Sequence, residues 1–185
     1  MHRIVISICG GSGAGKSQLA KQLVAHLGVD CCSRVPTDYF LLPGAVAEPL
    51  AYDWQLLAQT LTLPDGTECT TPDFDFDRHT RRALSGGRPF CLRPLMVVDR
   101  MLPYPQGNYT FLLQAQEDER QRRITARDAI WHTRVIDRWN QNEKTLDSLT
   151  VSMYHYSMVL DGLEPVETNS QRIVEFLREK GIIHR

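Results

Sequence analysis

The sequence has 185 residues, of which 42% are hydrophobic, and a formal net charge of −1. This size and balance are typical of one folded domain spanning residues 1–185. They argue against a disordered or strongly basic chain, and no apolar run of about 18 residues is present for a membrane span.

The first residues predict a buried strand followed by a helix. Residues 3–9 (RIVISIC) form an almost unbroken β-branched run, which is typical of a strand buried on both faces. Leu19, Leu23 and Leu27 then recur at helical spacing until Gly28, which can end the helix. A strand starting at Arg3 leaves no room for a signal peptide, and the five cysteines contain no C-x-x-C pair. We therefore expect a cytoplasmic protein with reduced thiols and no membrane or nucleic-acid partner.

Between this strand and helix lies a complete G-x-x-x-x-G-K-[ST] motif. Its glycines let the backbone approach a polyphosphate closely, Lys16 adds a charge for the phosphates, and the Ser17 hydroxyl suits Mg²⁺. The sequence therefore predicts bound ATP and Mg²⁺. The residues expected to contact ATP here are Gly10, Gly11, Ser12, Gly13, Ala14, Gly15, Lys16, Ser17 and Gln18. A glycine-rich turn that binds nothing is the alternative, and the flanking strand and helix argue against it.

Two carboxylates follow predicted strands. Asp38 lies in a polar cluster that ends a short strand after residues 30–34, and Asp99 ends the buried run 95–99 (LMVVD). Because the ends of parallel strands face the ligand crevice, Asp38 could accept the proton of an attacking hydroxyl or help hold Mg²⁺. Asp99 has the place of a Walker-B-like acid that acts on Mg²⁺. A turn before Pro43 is the structural alternative for Asp38.

Other local patterns complete the expected α/β fold. The turn at Asp65-Gly66 predicts a short strand pair formed by residues 61–63 and 69–70. Residues 109–113 are a strand candidate, and residues 171–180 predict a closing helix.

Six arginines crowd into one stretch of the second half: Arg120, Arg122, Arg123, Arg127, Arg134 and Arg138. Spacings of three and four place Arg120, Arg123 and Arg127 on one face of a helix, whose pattern continues to Trp139 and breaks at residues 140–142. Such a face could be a solvated surface or a nucleic-acid patch. Beside a phosphate-binding loop it could also close over the triphosphate.

Five segments resemble the uridine kinase, pantothenate kinase and phosphoribulokinase superfamily, and the uridine kinase branch in particular. They are residues 37–43 (TDYFLLP), 51–57 (AYDWQLL), 72–81 (PDFDFDRHTR), 118–128 (DERQRRITARD) and 157–162 (SMVLDG), the last of which resembles the final strand of the family. The resemblance implies a P-loop three-layer α/β/α fold with a five-stranded parallel sheet and a helical lid at about residues 118–142. It also implies a kinase that moves the ATP γ-phosphate to a hydroxyl of a small molecule.

The resemblance also assigns roles to particular residues. Lys16, Asp38 and Arg123 would be catalytic, with Asp38 as the base, while Arg120, Arg123 and Arg127 would close over ATP and Ser17 and Asp99 would hold Mg²⁺. The acceptor would contact Asp38, Phe40, Phe74, His79 and Arg81, where an aromatic face and an imidazole suit a flat base. The structural alternative makes Phe74 a core residue and His79 a surface histidine.

Two positions depart from the uridine kinase pattern. Residues 47–49 are Ala-Glu-Pro where the family carries the Asp-His-Pro that grips the ribose, and residues 99–100 are Asp-Arg where it carries Glu-Gly. The acceptor could therefore be a nucleoside, pantothenate, ribosylnicotinamide or a sugar phosphate. A regulatory protein that binds a nucleotide without transferring phosphate is an alternative of another class, and the sequence leaves a homo-oligomer open.

Overall fold

The computed structural model describes residues 3–44, 52–75, 78, 80–81, 86–131, 135–140 and 154–184. Its α-helices are α1 (Lys16–Leu27), α2 (Trp54–Leu61), α3 (Glu117–Trp131) and α4 (Val166–Glu179). Its strands are β1 (Ile4–Cys9), β2 (Cys32–Arg34), β3 (Glu68–Thr70), β4 (Phe74–Asp75), β5 (Thr80–Arg81), β6 (Pro89–Cys91), β7 (Leu95–Asp99), β8 (Tyr109–Gln114) and β9 (Met158–Asp161). Within these ranges no helix is both long and apolar enough to cross a bilayer.

A five-stranded parallel sheet with the order β2-β7-β1-β8-β9 forms the centre of the fold. β1 lies in the middle and pairs with β7 from Ile4↔Leu95 to Ile8↔Asp99, and with β8 on its other side. Because all five strands run the same way, the loops after them meet at one edge of the sheet. The predicted α/β fold with a five-stranded parallel sheet and flanking helices is confirmed.

The two faces of the sheet are buried in two hydrophobic clusters. Alternate residues of β1 and β7 point to opposite faces, as the two-residue period of a strand requires. Ile6 and Val97 belong to the cluster that also holds residues of α1 and α4, whereas Val5 and Met96 belong to the cluster under α2. Helices therefore cover both faces of the sheet.

The helix boundaries follow local signals in two cases. α1 ends before Gly28, whose φ is 86° and whose N–H donates to the carbonyl of Val24. The Asp53 carboxylate caps α2 by accepting a hydrogen bond of 3.0 Å from the N–H of Leu56. The closing helix α4 is longer than predicted, because it begins at Val166 rather than at residue 171.

Two local predictions are wrong. Leu61 ends α2, and β3 pairs antiparallel with β6 rather than with residues 61–63, so Asp65-Gly66 does not connect a hairpin. The helical pattern predicted to continue to Trp139 is also interrupted, since residues Val135–Arg138 form a 3-10 helix after α3. The predicted break at residues 140–142 lies mostly outside the described residues, which stop at Asn140 before the next gap.

Candidate active site

The glycine-rich loop between β1 and α1 has the backbone that the motif predicts. Gly10, Gly13 and Gly15 have φ values of 144°, 80° and 103°, which an L side chain rarely adopts. A Cβ on Gly13 would also collide with the main-chain carbonyl of Arg120 at the start of α3. The loop therefore needs glycine at this position both for its conformation and for the close approach of α3.

The N-terminus of α1 is suited to an anion. Its N-cap, Gly15, provides no side-chain hydrogen bond, and the first turn of the helix contains no acidic residue. The positive end of the helix dipole is thus not offset by a carboxylate of its own helix. Lys16 begins the helix, and its ammonium group donates a hydrogen bond of 2.7 Å back to the carbonyl of Gly11. This arrangement places a helix N-terminus and a lysine beside the same loop.

Ser17 and Asp99 lie together at the edge of the sheet. The Ser17 hydroxyl donates a hydrogen bond of 2.7 Å to Oδ2 of Asp99, which is the last residue of β7. A hydroxyl and a carboxylate are hard oxygen donors, so the pair matches the ligand chemistry of Mg²⁺ in kind. Both residues predicted to hold the metal are therefore in contact.

Asp99 also carries an ion pair that the sequence did not predict. Nε and Nη2 of Arg34 donate hydrogen bonds of 2.6 and 2.9 Å to its two carboxylate oxygens. Burial raises the pKa of Asp99, but the hydrogen bonds and charge of Arg34, with the Ser17 hydroxyl and the Lys16 charge, outweigh burial and hold this pKa below its ordinary value. Asp99 is therefore ionised and paired at neutral pH.

The arginines of α3 differ in their surroundings. Arg120 is 6% exposed, lies over the Trp139 ring and donates to the carbonyls of Ala115 and Ser12. Arg123 contacts the loop carbonyls of Gly13 and Ala14 at 3.5 Å.

Arg123 has further partners away from the loop. It donates to Gly162 at 3.0 Å and to the Glu119 carboxylate at 2.7 Å. Arg127 is exposed, and its Nε lies 4.0 Å from a carboxylate oxygen of the adjacent Asp128. Two of the three predicted lid arginines thus reach the phosphate loop, and Arg127 does not.

Asp38 lies on a 3-10 turn, Thr37–Phe40, directly beyond β2. Its side chain is 65% exposed, and one oxygen lies 3.8 Å from Nη1 of Arg100. The side chain of Arg100 is only 2% exposed, and its guanidinium stacks 3.1 Å from the centre of the Tyr52 ring. The predicted base is therefore accessible at the sheet edge, next to a buried cation.

The remaining residues predicted to contact the acceptor have mixed surroundings. Phe40 and Phe74 are 1% and 3% exposed, so both rings are packed inside the protein. Arg81 donates to the carbonyls of Phe40 and Leu41 and forms an ion pair of 3.0 Å with Asp53. It therefore ties the Asp38 turn to the start of α2.

Other predicted features of the acceptor site lie outside the described residues. These are His79 and the departure at residues 47–49. The acceptor contacts of Phe40, Phe74, His79 and Arg81 stay predictions.

Arg34 and the stacked position of Arg100 are what sequence reasoning missed. Arg34 ends β2, and Arg100 directly follows β7. These two strands are neighbours in the sheet, where Arg34 pairs with Val97. The sequence did contain a signal for them. Each of the two strands ends with or is followed by a basic residue close to a carboxylate that was already assigned to the site, because Arg34 precedes Asp38 and Arg100 follows Asp99. Their partners could not be found locally, because Arg34 and Asp99 are far apart in the chain.

Comparison with curated proteins finds relatives described as uridine kinases. The chain is 29% identical over 90 residues to the uridine kinase of Halobacterium salinarum, 31% over 91 residues to that of Deinococcus deserti and 30% over 94 residues to that of Clostridium novyi. These matches cover 42%, 43% and 44% of this chain, and 40%, 44% and 45% of the relatives, so less than half of each relative is spanned. No family model matches the chain.

Solved structures show the same fold over most of the chain. A structure described as a putative fructose transport system kinase from Silicibacter aligns with a TM-score of 0.60 at 16% identity, over 85% of this chain and 89% of that one. A gluconokinase from Sinorhizobium meliloti aligns with a TM-score of 0.56 at 15% identity, over 97% and 94%. A shikimate kinase from Acinetobacter baumannii aligns with a TM-score of 0.55 at 12% identity, over 98% and 96%. The predicted resemblance to uridine kinase-like P-loop kinases is confirmed, in sequence over part of the chain and in fold over most of it.

Proposed function

We propose that this chain, which resembles uridine kinases in sequence and P-loop kinases in fold, transfers the γ-phosphate of ATP to a hydroxyl of a nucleoside-like small molecule. One observation carries the proposal. Lys16, Ser17 and Asp99 lie at one edge of the sheet, beside a helix N-terminus with no side-chain cap, and Asp38 lies on the turn that follows the neighbouring strand β2, 3.8 Å from Arg100. A phosphate-binding group and an accessible carboxylate at the same edge are what transfer to a hydroxyl requires.

The reaction assigns a task to each of these residues. Lys16 and the loop amides bind the phosphates, and Asp38 takes the proton of the acceptor hydroxyl as its oxygen attacks the γ-phosphorus and ADP leaves. Arg123, which already contacts the loop, stabilises the charge that develops on the transferred group. Ser17 and Asp99 would hold Mg²⁺, which neutralises phosphate charge when bound.

The proposed acceptor is a small molecule that carries a hydroxyl group and a flat base. The family motif at residues 72–81 supports a nucleoside. The burial of the Phe74 ring and the departure at residues 47–49 weaken the expected contacts with a base and a ribose. Pantothenate, ribosylnicotinamide and sugar phosphates are the alternatives within the same reaction class.

A regulatory protein that binds ATP without transferring phosphate is the alternative from another class. Its support is the engagement of both oxygens of Asp99 by Arg34, which no kinase step requires. Asp38 argues against this alternative, because its accessible carboxylate could act as a base, which a protein that only binds a nucleotide does not need.

Release of ADP in the presence of a panel of hydroxyl compounds tests the proposal. We expect at least one acceptor to stimulate release, and Lys16→Ala to abolish it while leaving the fold intact, because Lys16 faces the loop rather than the core. Calorimetric titration with Mg-ATP should show weakened binding by this variant. Unchanged affinity and turnover in a folded Lys16→Ala protein would contradict the assignment of the phosphate loop.

Asp38→Asn separates the kinase from the regulatory alternative. Loss of a positioned proton acceptor should reduce acceptor phosphorylation at least ~10²-fold while ATP affinity stays within a few-fold. Equal turnover by the variant would exclude Asp38 as the base. No turnover by the native chain with any acceptor, despite ATP binding, would favour the regulatory protein.

A further inference from the structure

The last residues of β2 and β7 form a tight ion pair inside the candidate site. Arg34 presents the edge of its guanidinium to Asp99, with Nε on one oxygen at 2.6 Å and Nη2 on the other at 2.9 Å. The Asp99 side chain is 3% exposed and that of Arg34 is 26% exposed. This two-point geometry is the strongest that an arginine and a carboxylate can form.

The ion pair changes what Asp99 can offer to a cation. Its negative charge is matched by a positive charge at hydrogen-bond distance, and its Oδ2 also accepts the Ser17 hydroxyl. A divalent cation that approaches Asp99 is therefore repelled by Arg34, and the partly buried setting leaves this repulsion weakly screened.

In the described part of the chain, Asp38 also acts on the charge of Arg34, and its side chain is 65% exposed. The described residues contain no cluster of three or more His, Cys, Asp or Glu side chains that could hold a metal ion. Phosphate oxygens are donors that Mg²⁺ prefers, so a bound triphosphate can supply the negative charge that retains a divalent cation beside Ser17 and Asp99.

We propose that Arg34 competes with the divalent cation for Asp99, so that this chain takes up the cation only together with a nucleoside triphosphate. Arg34 is a positioning residue in this scheme, because it acts through Asp99. The inference rests on the proposed nucleotide site, although its central test does not require nucleotide or turnover.

Binding of Mn²⁺ alone, followed by the paramagnetic resonance signal of the free ion, tests the inference. Without nucleotide, we expect the native chain and Asp99→Asn to bind Mn²⁺ equally weakly. Arg34→Gln should bind it at least ~10-fold more tightly, since one repelling charge next to the carboxylate is gone. Combining Arg34→Gln with Asp99→Asn should abolish this gain.

Two further variants control for charge and for geometry. Arg172→Gln removes the same charge from a surface ion pair with Glu164 and should leave Mn²⁺ binding unchanged. Arg34→Lys keeps the charge but not the two-point geometry and should behave like the native chain, which identifies charge as the cause. Circular dichroism establishes that each variant is folded.

Several results would overturn the inference. These are Asp99-dependent capture of Mn²⁺ by the native chain without nucleotide, no gain in Arg34→Gln, or a gain that persists when Asp99 is also replaced. The first comparison uses only the native chain and Asp99→Asn, so it can overturn the inference even if Arg34→Gln does not fold.

Nucleotide binding is measured separately, with a fluorescent ATP analogue in the presence of Mg²⁺ or of a chelator. If the native chain binds no ATP in either condition, the proposed function fails whatever the Mn²⁺ result. If it binds ATP but also captures Mn²⁺ alone, only the role of Arg34 fails.

Discussion

Replacing Gly13 by alanine tests the close packing of α3 against the phosphate loop. The added Cβ would lie 3.0 Å from the Cα of Arg120 and would press on the carbonyl of that residue, so either the loop or α3 must shift. The φ of Gly13 is 80°, and holding alanine in a left-handed conformation costs about 1–2 kcal/mol. Crowding in a packed region adds typically 1–3 kcal/mol, or about 2 kcal/mol as a central value.

Gly66 provides a control for the conformational part of this cost. Its φ is 82°, and a Cβ there would meet nothing within 4 Å. Gly66→Ala should therefore show the conformational cost alone, and Gly13→Ala should be less stable than Gly66→Ala by about 2 kcal/mol. For a chain of this length, that difference corresponds to a melting temperature roughly 4–8 °C lower.

Thermal and urea unfolding without nucleotide, followed by circular dichroism, measures both variants. Gly15→Ala is a second control inside the loop itself, because its φ is 103° and its nearest contact would be the Leu113 side chain at 3.8 Å. Gly15→Ala should lose about as much stability as Gly66→Ala. If all three variants lose the same free energy of unfolding, the contact between α3 and the loop does not contribute to the cost of Gly13→Ala.

Two further predictions concern α3. A non-hydrolysable ATP analogue with acceptor should increase hydrogen-exchange protection across residues 118–140, because a triphosphate is a stronger partner for Arg123 than the loop carbonyls are. High protection that does not change on binding would rule out a lid. Hydrogen bonds from Arg122 and Arg123 lower the pKa of Glu119 from 4.5 to about 2, so their stabilising effect is present above pH 4.5 and is lost as the pH falls toward 2. Melting curves should show the native chain more stable than Glu119→Gln at neutral pH, with the difference fading across this window; a difference that persists at pH 2 would contradict the ion-pair explanation.

The phosphate loop and the central strands could be predicted from the sequence because their signals are local. The β-branched run before Gly10 and the Asp53 cap before α2 each report the conformation of their own neighbourhood. The Asp65-Gly66 turn shows the limit of such signals. Its residues do form a turn, but the strand that pairs with β3 is β6, and no local pattern indicates a partner about 20 residues away.

In the candidate site, too, some residues could be predicted from local patterns and others could not. Lys16, Ser17 and Asp99 could be found by motif and by position at a strand end. The Arg34 ion pair depends on how β2 and β7 are placed side by side, which the sequence of neither strand contains. Burial of Phe40 and Phe74 depends likewise on the elements packed over them.

The central position of β1 also determines when the nucleotide site can form. In β1, which precedes the phosphate loop, Ile4 pairs with Leu95 and Ile6 pairs with Tyr109, so its sheet partners are distant in the sequence. The next strand is similar, because Phe111 of β8 pairs with Met158. Closing such long loops costs chain entropy before any pairing compensates for it, and topologies of this kind fold slowly. During synthesis β1 emerges before β7 and β8, so it has no partner in the sheet until those two strands have followed. Nucleotide binding by a growing chain would therefore report that the central sheet is complete.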